Sequence, residues 1–390
     1  MNAPHVFPLI ALQPVHDARH AWVALQVVAE RPCDGATLQR LLEDRALAGV
    51  LDILPCIVPA DPLTIDPALA KGLPRDRLIL SFPWQTGAQS EQRETLRALS
   101  EAGFALMASG LPAEGATLAP EIRAIAVPCP GSAAPEHLVR LLLERPGPHL
   151  ALGTTEKVCP GFCRFHWLSG HYAGMASPAV KGDPAARSQL LRLLGLITAD
   201  AELAELETVF RQDANLSYKL LKLVNSVTFM PGRRIENFSQ ALIMLGRRQL
   251  LRWVSLLLFA QPAGGAQASP LLPLAAMRGK LLEALIRRRG VTHDRCDQAF
   301  MTGMFSLLDQ LLAQPMAEIL APLNLADEVV QALVGRHGEF GLSLKTVETA
   351  EQGAFAALAE LLAALGVERE SWAAMLIDAA GWAALVAREA

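Results

Sequence analysis

The sequence predicts an α/β half over residues 1–180 and an all-helical half over residues 181–390. Three observations carry this. Up to about Val180, short extended apolar runs alternate with amphipathic helical runs, the pattern of βαβ units around a parallel sheet. Beyond Lys181-Gly182-Asp183-Pro184 the strand signal stops and helical periodicity continues almost to the end. A chain of 390 residues also exceeds what a single hydrophobic core usually supports, so two domains are the default.

In the first half, strands are predicted at Leu9–Gln13, Val23–Val28, Leu78–Phe82, Phe104–Ala108, Ala124–Val127 and His149–Leu152. Helices are predicted between them at Thr37–Leu47, Ser90–Glu101 and Glu136–Glu144. A full eight-fold barrel typically needs ~250 residues and rarely fewer than ~200. This half is therefore expected to be a trimmed or incomplete β/α barrel, or an open sheet. In the second half, helices are predicted at Ala185–Leu194, Leu203–Arg211, Asn215–Asn225, Ser239–Leu245, Gln249–Ala260, Leu271–Arg289 and Cys296–Leu312. Pro231-Gly232, Pro262-Ala263-Gly264-Gly265 and Pro270 punctuate them.

Composition narrows the function classes. Apolar residues make up 52% and charged residues 19%, which excludes a disordered chain. A net charge of −4 excludes a broadly basic nucleic-acid binder. The longest apolar run, Trp253 to Ala260, is interrupted by Ser255 and is too short for a membrane span. The opening MNAPHVFPLI has no basic region ahead of its apolar stretch, so no export signal is expected. Six cysteines in so long a chain are too sparse for a disulfide scaffold, and a cytoplasmic setting with reduced thiols is expected.

The densest signature runs from Tyr218-Lys219-Leu220-Leu221-Lys222-Leu223-Val224-Asn225-Ser226 through Phe229 and Arg234-Ile235. It continues in Gln240-Ala241-Leu242-Ile243-Met244-Leu245-Gly246 and Gln249-Leu250-Leu251-Arg252-Trp253, with Ala299-Phe300-Met301-Thr302-Gly303-Met304-Phe305 further on. This closely resembles HDOD domains, signalling relatives of HD-type metal phosphohydrolases. The segment Ala11-Leu12-Gln13-Pro14-Val15-His16-Asp17, with a strand at Val23–Val28, resembles the start of EAL domains, and Phe165 to Gly170 resembles their closing strand. The EAL resemblance implies a barrel, and active members hydrolyse cyclic di-GMP with a metal-bound water.

The residues needed for that chemistry are replaced. Divalent metals bind converging carboxylates. Gln26 stands where EAL enzymes carry their name-giving Glu, Ala108-Ser109-Gly110 stands where a paired Asp is expected, and Leu80-Ser81-Phe82 lacks the usual acid. An HD hydrolase needs His and Asp adjacent on one helix, but the corresponding position reads Phe305-Ser306-Leu307-Leu308-Asp309. His293-Asp294 is an HD dipeptide outside that position and reads as an exposed pair at a loop or helix start. Cys159 and Cys163, with His166 and His171, have the wrong spacing for common zinc knuckles and read as ordinary thiols. No phosphate loop or nucleophile elbow occurs. No catalytic residue, metal or cofactor is therefore expected.

The remaining candidates for contact with a partner or ligand are Asn225, Ser226, Arg233, Arg234, Arg247, Arg248 and Arg252. Asn225 and Ser226 end the strongest helix and also suit satisfying its terminal carbonyls. The five arginines form a basic rim, which predicts a protein partner with an acidic face. The helix–glycine–helix outline around Gly246 resembles helix-turn-helix. However, its second helix is apolar all round, which disfavours nucleic acid. Cyclic di-GMP binding or residual hydrolysis is the alternative reading.

Overall fold

A computed structural model describes residues 6–43, 45–129, 135–154, 165–170, 184–211, 238–260 and 269–389. The chain divides into two compact units, Met1–Ala176 with Glu348–Gly381, and Ser177–Val347 with Trp382–Ala390. The sequence reading runs its second domain unbroken from 181 to 390. In the structure the stretch Glu348–Gly381 is grouped with the first unit instead.

The first unit is built on a closed barrel of eight strands. They are β1 (Ile10–His16), β2 (Trp22–Ala29), β3 (Cys56–Pro59), β4 (Leu78–Pro83), β5 (Ala105–Ser109), β6 (Ile122–Pro128), β7 (Leu150–Leu152) and β8 (Trp167–Ser169). β1 is antiparallel to both β2 and β8, and the remaining neighbours are parallel. Val15, Ala24, Ile57, Ile79, Met107, Ala124, Ala126 and Leu150 pack together inside the barrel. Alternate residues such as Leu25, Val58, Leu80, Leu106 and Ile125 are buried as well. Strands covered on both faces read as continuous apolar runs, as these do.

Of the forms the sequence leaves open, the structure is the trimmed barrel; the sheet is neither incomplete nor open. The economy lies in the connections. β3 and β4 are joined by two 3-10 turns, Pro62–Thr64 and Pro67–Ala70, each begun by an aspartate (Asp61, Asp66) that accepts a backbone N–H. β5 and β6 are joined by a stretch without any helix. There the Arg145 guanidinium donates to the carbonyl oxygens of Leu118 (3.0 Å), Ala119 (3.1 Å) and Ile122, satisfying backbone groups that a helix would otherwise pair. β3, a four-residue strand directly after the helix Arg45–Ile53, is the strand the sequence reading misses.

His149 ties β6 to the helix Glu136–Leu143. Its Nδ1 accepts from the Ile125 N–H (3.2 Å), so its Nε2 must donate to the Leu142 carbonyl (2.8 Å). The bond accepted at Nδ1 requires the neutral ring, and burial pushes its pKa below the ordinary 6.5. A base with a depressed folded-state pKa contributes stability above its unfolded value and loses it as pH falls toward the folded value. The denaturant midpoint of the barrel is therefore expected to drop between neutral pH and pH ~5. His149→Phe, which cannot titrate, should be less stable at pH ~8 yet show a flatter acid limb. An unchanged slope in the variant would assign the acid loss to other groups.

The second unit is helical, with helices Pro184–Thr198, Leu203–Arg211, Phe238–Ala260, Leu271–Arg287, His293–Phe305, Leu308–Leu312, Met316–Leu320 and Asp327–Gly335. The predicted break at Gly246 is present, with φ 69 and ψ 166 inside Phe238–Ala260. The single helix predicted over Cys296–Leu312 is instead two. Ser306 turns its hydroxyl back onto the Gly303 carbonyl (2.7 Å) and accepts from the buried Arg278 guanidinium (2.9 Å), a local alternative to helix continuation. Helices Leu271–Arg287 and His293–Phe305 cross backbone to backbone, since a Cβ on Gly303 would lie 2.4 Å from the Arg278 carbonyl oxygen. Gly303→Ala must push the pair apart. A loss of about 1–3 kcal/mol is expected in urea unfolding of this unit.

Candidate functional site

Three strands bring polar side chains together at one end of the barrel. Gln13 on β1 and Gln26 on β2 are direct register partners, and Ser169 on β8 is paired with Val15. The Ser169 hydroxyl donates to Gln26 Oε1 and lies 3.3 Å from Gln13 Oε1. The Gln13 amide in turn donates to the Glu351 carbonyl (3.0 Å), a backbone group of the segment Glu348–Gly381. β8 is held in place by Thr154, whose N–H (3.0 Å) and hydroxyl (3.1 Å) both donate to the Ser169 carbonyl. The close approach explains Gly170, at φ 134, where a Cβ would sit 2.8 Å from the Thr154 nitrogen.

The two-residue period of the strands identifies the other inward positions at this end. Beyond the core residues Ile79 and Met107, the same faces of β4 and β5 carry Ser81 and Ser109. The polar inward positions so identified at the strand ends are Gln13, Gln26, Ser81, Ser109 and Ser169, all neutral. The metal ions implied by the EAL resemblance require anionic oxygen ligands. This donor set does not fit them. Among the described residues no group of three or more His, Cys, Asp or Glu is placed to hold a metal ion.

In the helical unit, the corresponding HD position is occupied by Ser306 against Arg278. His293 and Asp294 open the helix His293–Phe305 and are exposed. Cys159, Cys163 and His171 lie outside the described residues, as do Asn225, Ser226, Arg233 and Arg234. His166 is described, and its Nδ1 accepts from the His149 N–H (3.4 Å).

The other rim arginines are paired within their own unit. Arg252 is largely buried and donates to Glu283 (2.8 Å) and Asp297 (2.8 Å), with its guanidinium 4.5 Å from the centre of the Phe300 ring. Arg248 pairs with Asp294 and Asp297, and Arg247 with Asp200 (2.8 Å). Acidic groups of this unit itself face these three arginines, while Arg247 and Arg248 stay exposed. The helix that carries Arg252 buries Leu250, Trp253, Val254 and Leu256 through Phe259, and only its first turn, at Arg247, Arg248 and Gln249, is exposed.

Glu283, Asp297 and Asp200 are not candidates in the sequence reading. Their one signal is a lone acid (Glu283) in an apolar helical run, matched by a lone base (Arg252) in another. Burial pushes the Glu283 carboxyl up, but the hydrogen bonds and charge of Arg252, with Lys280 and Arg287, outweigh it and hold the pKa below the ordinary range. Arg252→Ala would leave a carboxylate that is 1% exposed with only Lys280 and the exposed Arg287 beside it. A loss of about 3 kcal/mol is expected by chemical denaturation, with most of it recovered in Arg252→Met/Glu283→Leu.

With the geometry in place, comparison with known proteins bears on the helical unit first. The family model for the HDOD domain matches residues 184–323. This chain carries an HDOD domain. Among curated proteins, this HDOD chain is 32% identical over 183 residues to the Cyclic di-GMP phosphodiesterase CdgJ of Vibrio cholerae, covering 47% of the chain and 42% of that protein. It is 32% identical over 152 residues to the protein YuxH of Bacillus subtilis, covering 38% of the chain and 37% of that protein. The HDOD chain thus spans less than half the length of either relative in these matches.

Two solved structures also align. The EAL domain of Mycobacterium smegmatis DcpA aligns at 15% identity and TM-score 0.32, covering 42% of this chain and 90% of that one. A putative phosphohydrolase from Shewanella amazonensis aligns at 15% identity and TM-score 0.34, covering 52% and 93%.

Proposed function

We propose that this HDOD protein is a non-enzymatic signalling adaptor that acts through protein contact in the cytoplasm. The single observation that carries the reading is the neutral amide–hydroxyl layer of Gln13, Gln26, Ser81, Ser109 and Ser169 at the strand ends. Phosphodiester hydrolysis by a metal-bound water needs charge to hold the ions and a base to take the proton. An amide provides neither. The HDOD domain and the barrel order together support a place in cyclic di-GMP signalling, as does the name of the Vibrio cholerae relative.

A reducing setting is supported by the cysteines. Among the described residues Cys33, Cys56 and Cys296 are buried unbridged thiols, and burial pushes those of Cys33 and Cys56 up to about 12. Among the described residues no helix is long and apolar enough to cross a membrane.

Cyclic di-GMP binding without turnover is the second reading, since binding and hydrolysis use partly different groups. Incubation of the purified chain with cyclic di-GMP and Mg²⁺ or Mn²⁺ tests the first. No linear product is expected above the rate of a barrel-disrupted control. Turnover that disappears in Gln26→Ala would overturn the proposal. Calorimetric heat on mixing without turnover would select the second reading.

A further inference from the structure

Three consecutive arginines, Arg287, Arg288 and Arg289, close the helix Leu271–Arg287, and all three are exposed. The fold sets them beside Arg247 and Arg248, which begin the helical stretch after the break at Gly246. Shared carboxylates fix this arrangement. Asp297 pairs with both Arg248 (3.3 Å) and Arg252 (2.8 Å), and Glu283 with both Arg252 (2.8 Å) and Arg287. Glu339 likewise pairs with Arg289 and with Arg295 (2.7 Å).

The charges are layered. Arg248, Arg287 and Arg289 keep 53%, 55% and 52% of their side chains exposed, whereas Glu283, Asp297 and Glu339 keep 2%, 18% and 22%. Carboxylates form the floor and guanidinium groups the outer face. The floor does not need all of these cations. Arg252 already holds both oxygens of Glu283 (2.8 and 3.3 Å), and Lys280 (3.6 Å) and Arg287 are added to that pair. Local structure does not call for them all either. A helix C-terminus favours cations, which suits Arg287, but a helix N-terminus disfavours them, and Arg247 and Arg248 stand at one. Positive charge gathered on one face against that preference complements an acidic surface.

Two exposed acids stand among these arginines, Asp294 beside Arg248 and Asp200 beside Arg247 (2.8 Å). They select the class of partner. A nucleic-acid backbone carries a charge at every phosphate and would be forced over these carboxylates, on a chain whose net charge is already −4. A protein segment can space its acids to avoid them.

We infer that Arg247, Arg248, Arg287, Arg288 and Arg289 form one docking face for an acidic protein segment, with Arg252 in its buried support. The inference rests on the adaptor reading and names the chemistry of the partner. Cyclic di-GMP turnover, which decides that reading, plays no part in the test below, so either can fail alone.

Fluorescence anisotropy of a short labelled peptide of alternating Glu and Ser, titrated with the full chain at low salt, tests this. A labelled dT oligonucleotide of equal charge serves as the competing class. The peptide is expected to bind more tightly than the oligonucleotide, and Arg287→Glu/Arg289→Glu should weaken it about ten-fold. Arg97→Glu/Arg140→Glu makes the same charge change at exposed positions of the barrel unit and should leave the affinity unchanged. Absence of peptide binding, or an equal loss in both double variants, would overturn the docking face. Oligonucleotide binding as tight as that of the peptide, and lost with Arg287→Glu/Arg289→Glu, would overturn the choice of partner. Glu283 keeps Arg252 and Glu339 keeps Arg295 in that variant, so the unit should stay folded. If it does not, Arg287→Gln/Arg289→Gln decides by the same comparison.

Discussion

The first unit depends on one strand. β1 closes the barrel by running antiparallel between β2, across seven registered residues, and β8, across two. A closed sheet has no edge, and β2 and β8 both rely on β1 for their second set of hydrogen bonds. The same strand accepts the Trp372 indole at Ile10 and presents Gln13 to the polar layer. Closure, part of the attachment of the segment Glu348–Gly381 and part of the polar barrel end therefore meet on one strand.

Neutral chemistry at that end follows directly. In a metal-dependent hydrolase of this architecture, repulsion between converging carboxylates is relieved by the cations. Here the Ser169 hydroxyl donates to Gln26 Oε1 beside Gln13 Oε1, and the Gln13 amide donates to a peptide carbonyl. An amide is both donor and acceptor and carries no charge, so two glutamines can approach a hydroxyl where two carboxylates would repel each other. The helical unit shows a related solution, with guanidinium in place of metal charge. Glu283 and Asp297 converge on Arg252, and the pairs at Arg247 and Arg248 extend the network to the surface.

Much of this architecture is legible in the sequence, and the limits have physical causes. Five of the predicted strands overlap parallel strands of the barrel because both faces are buried and the apolar runs stand out. β3 is hidden by its length of four residues and by the helix that runs straight into it. Closure is hidden because the length argument assumes a helix in every connection. The chain substitutes 3-10 turns and the carbonyl-binding Arg145. The replacement of acids at Gln26 and Ser109 is readable from residue identity alone. The pairing of the arginines is not, since Glu283, Asp297 and Asp294 lie 31 to 46 residues from their partners. The membership of Glu348–Gly381 is likewise invisible, because an apolar helical stripe fits either core equally well.

The account stands on the claim that the barrel end has exchanged metal-binding charge for a neutral layer. Titration of the full chain with Mn²⁺, followed by the electron paramagnetic resonance signal of the free ion, tests this most directly. The free-ion signal should fall no further than with Gln26→Ala or Ser169→Ala. Stoichiometric loss of the signal in the natural chain, abolished by either substitution, would show a metal held at the strand ends and contradict the account.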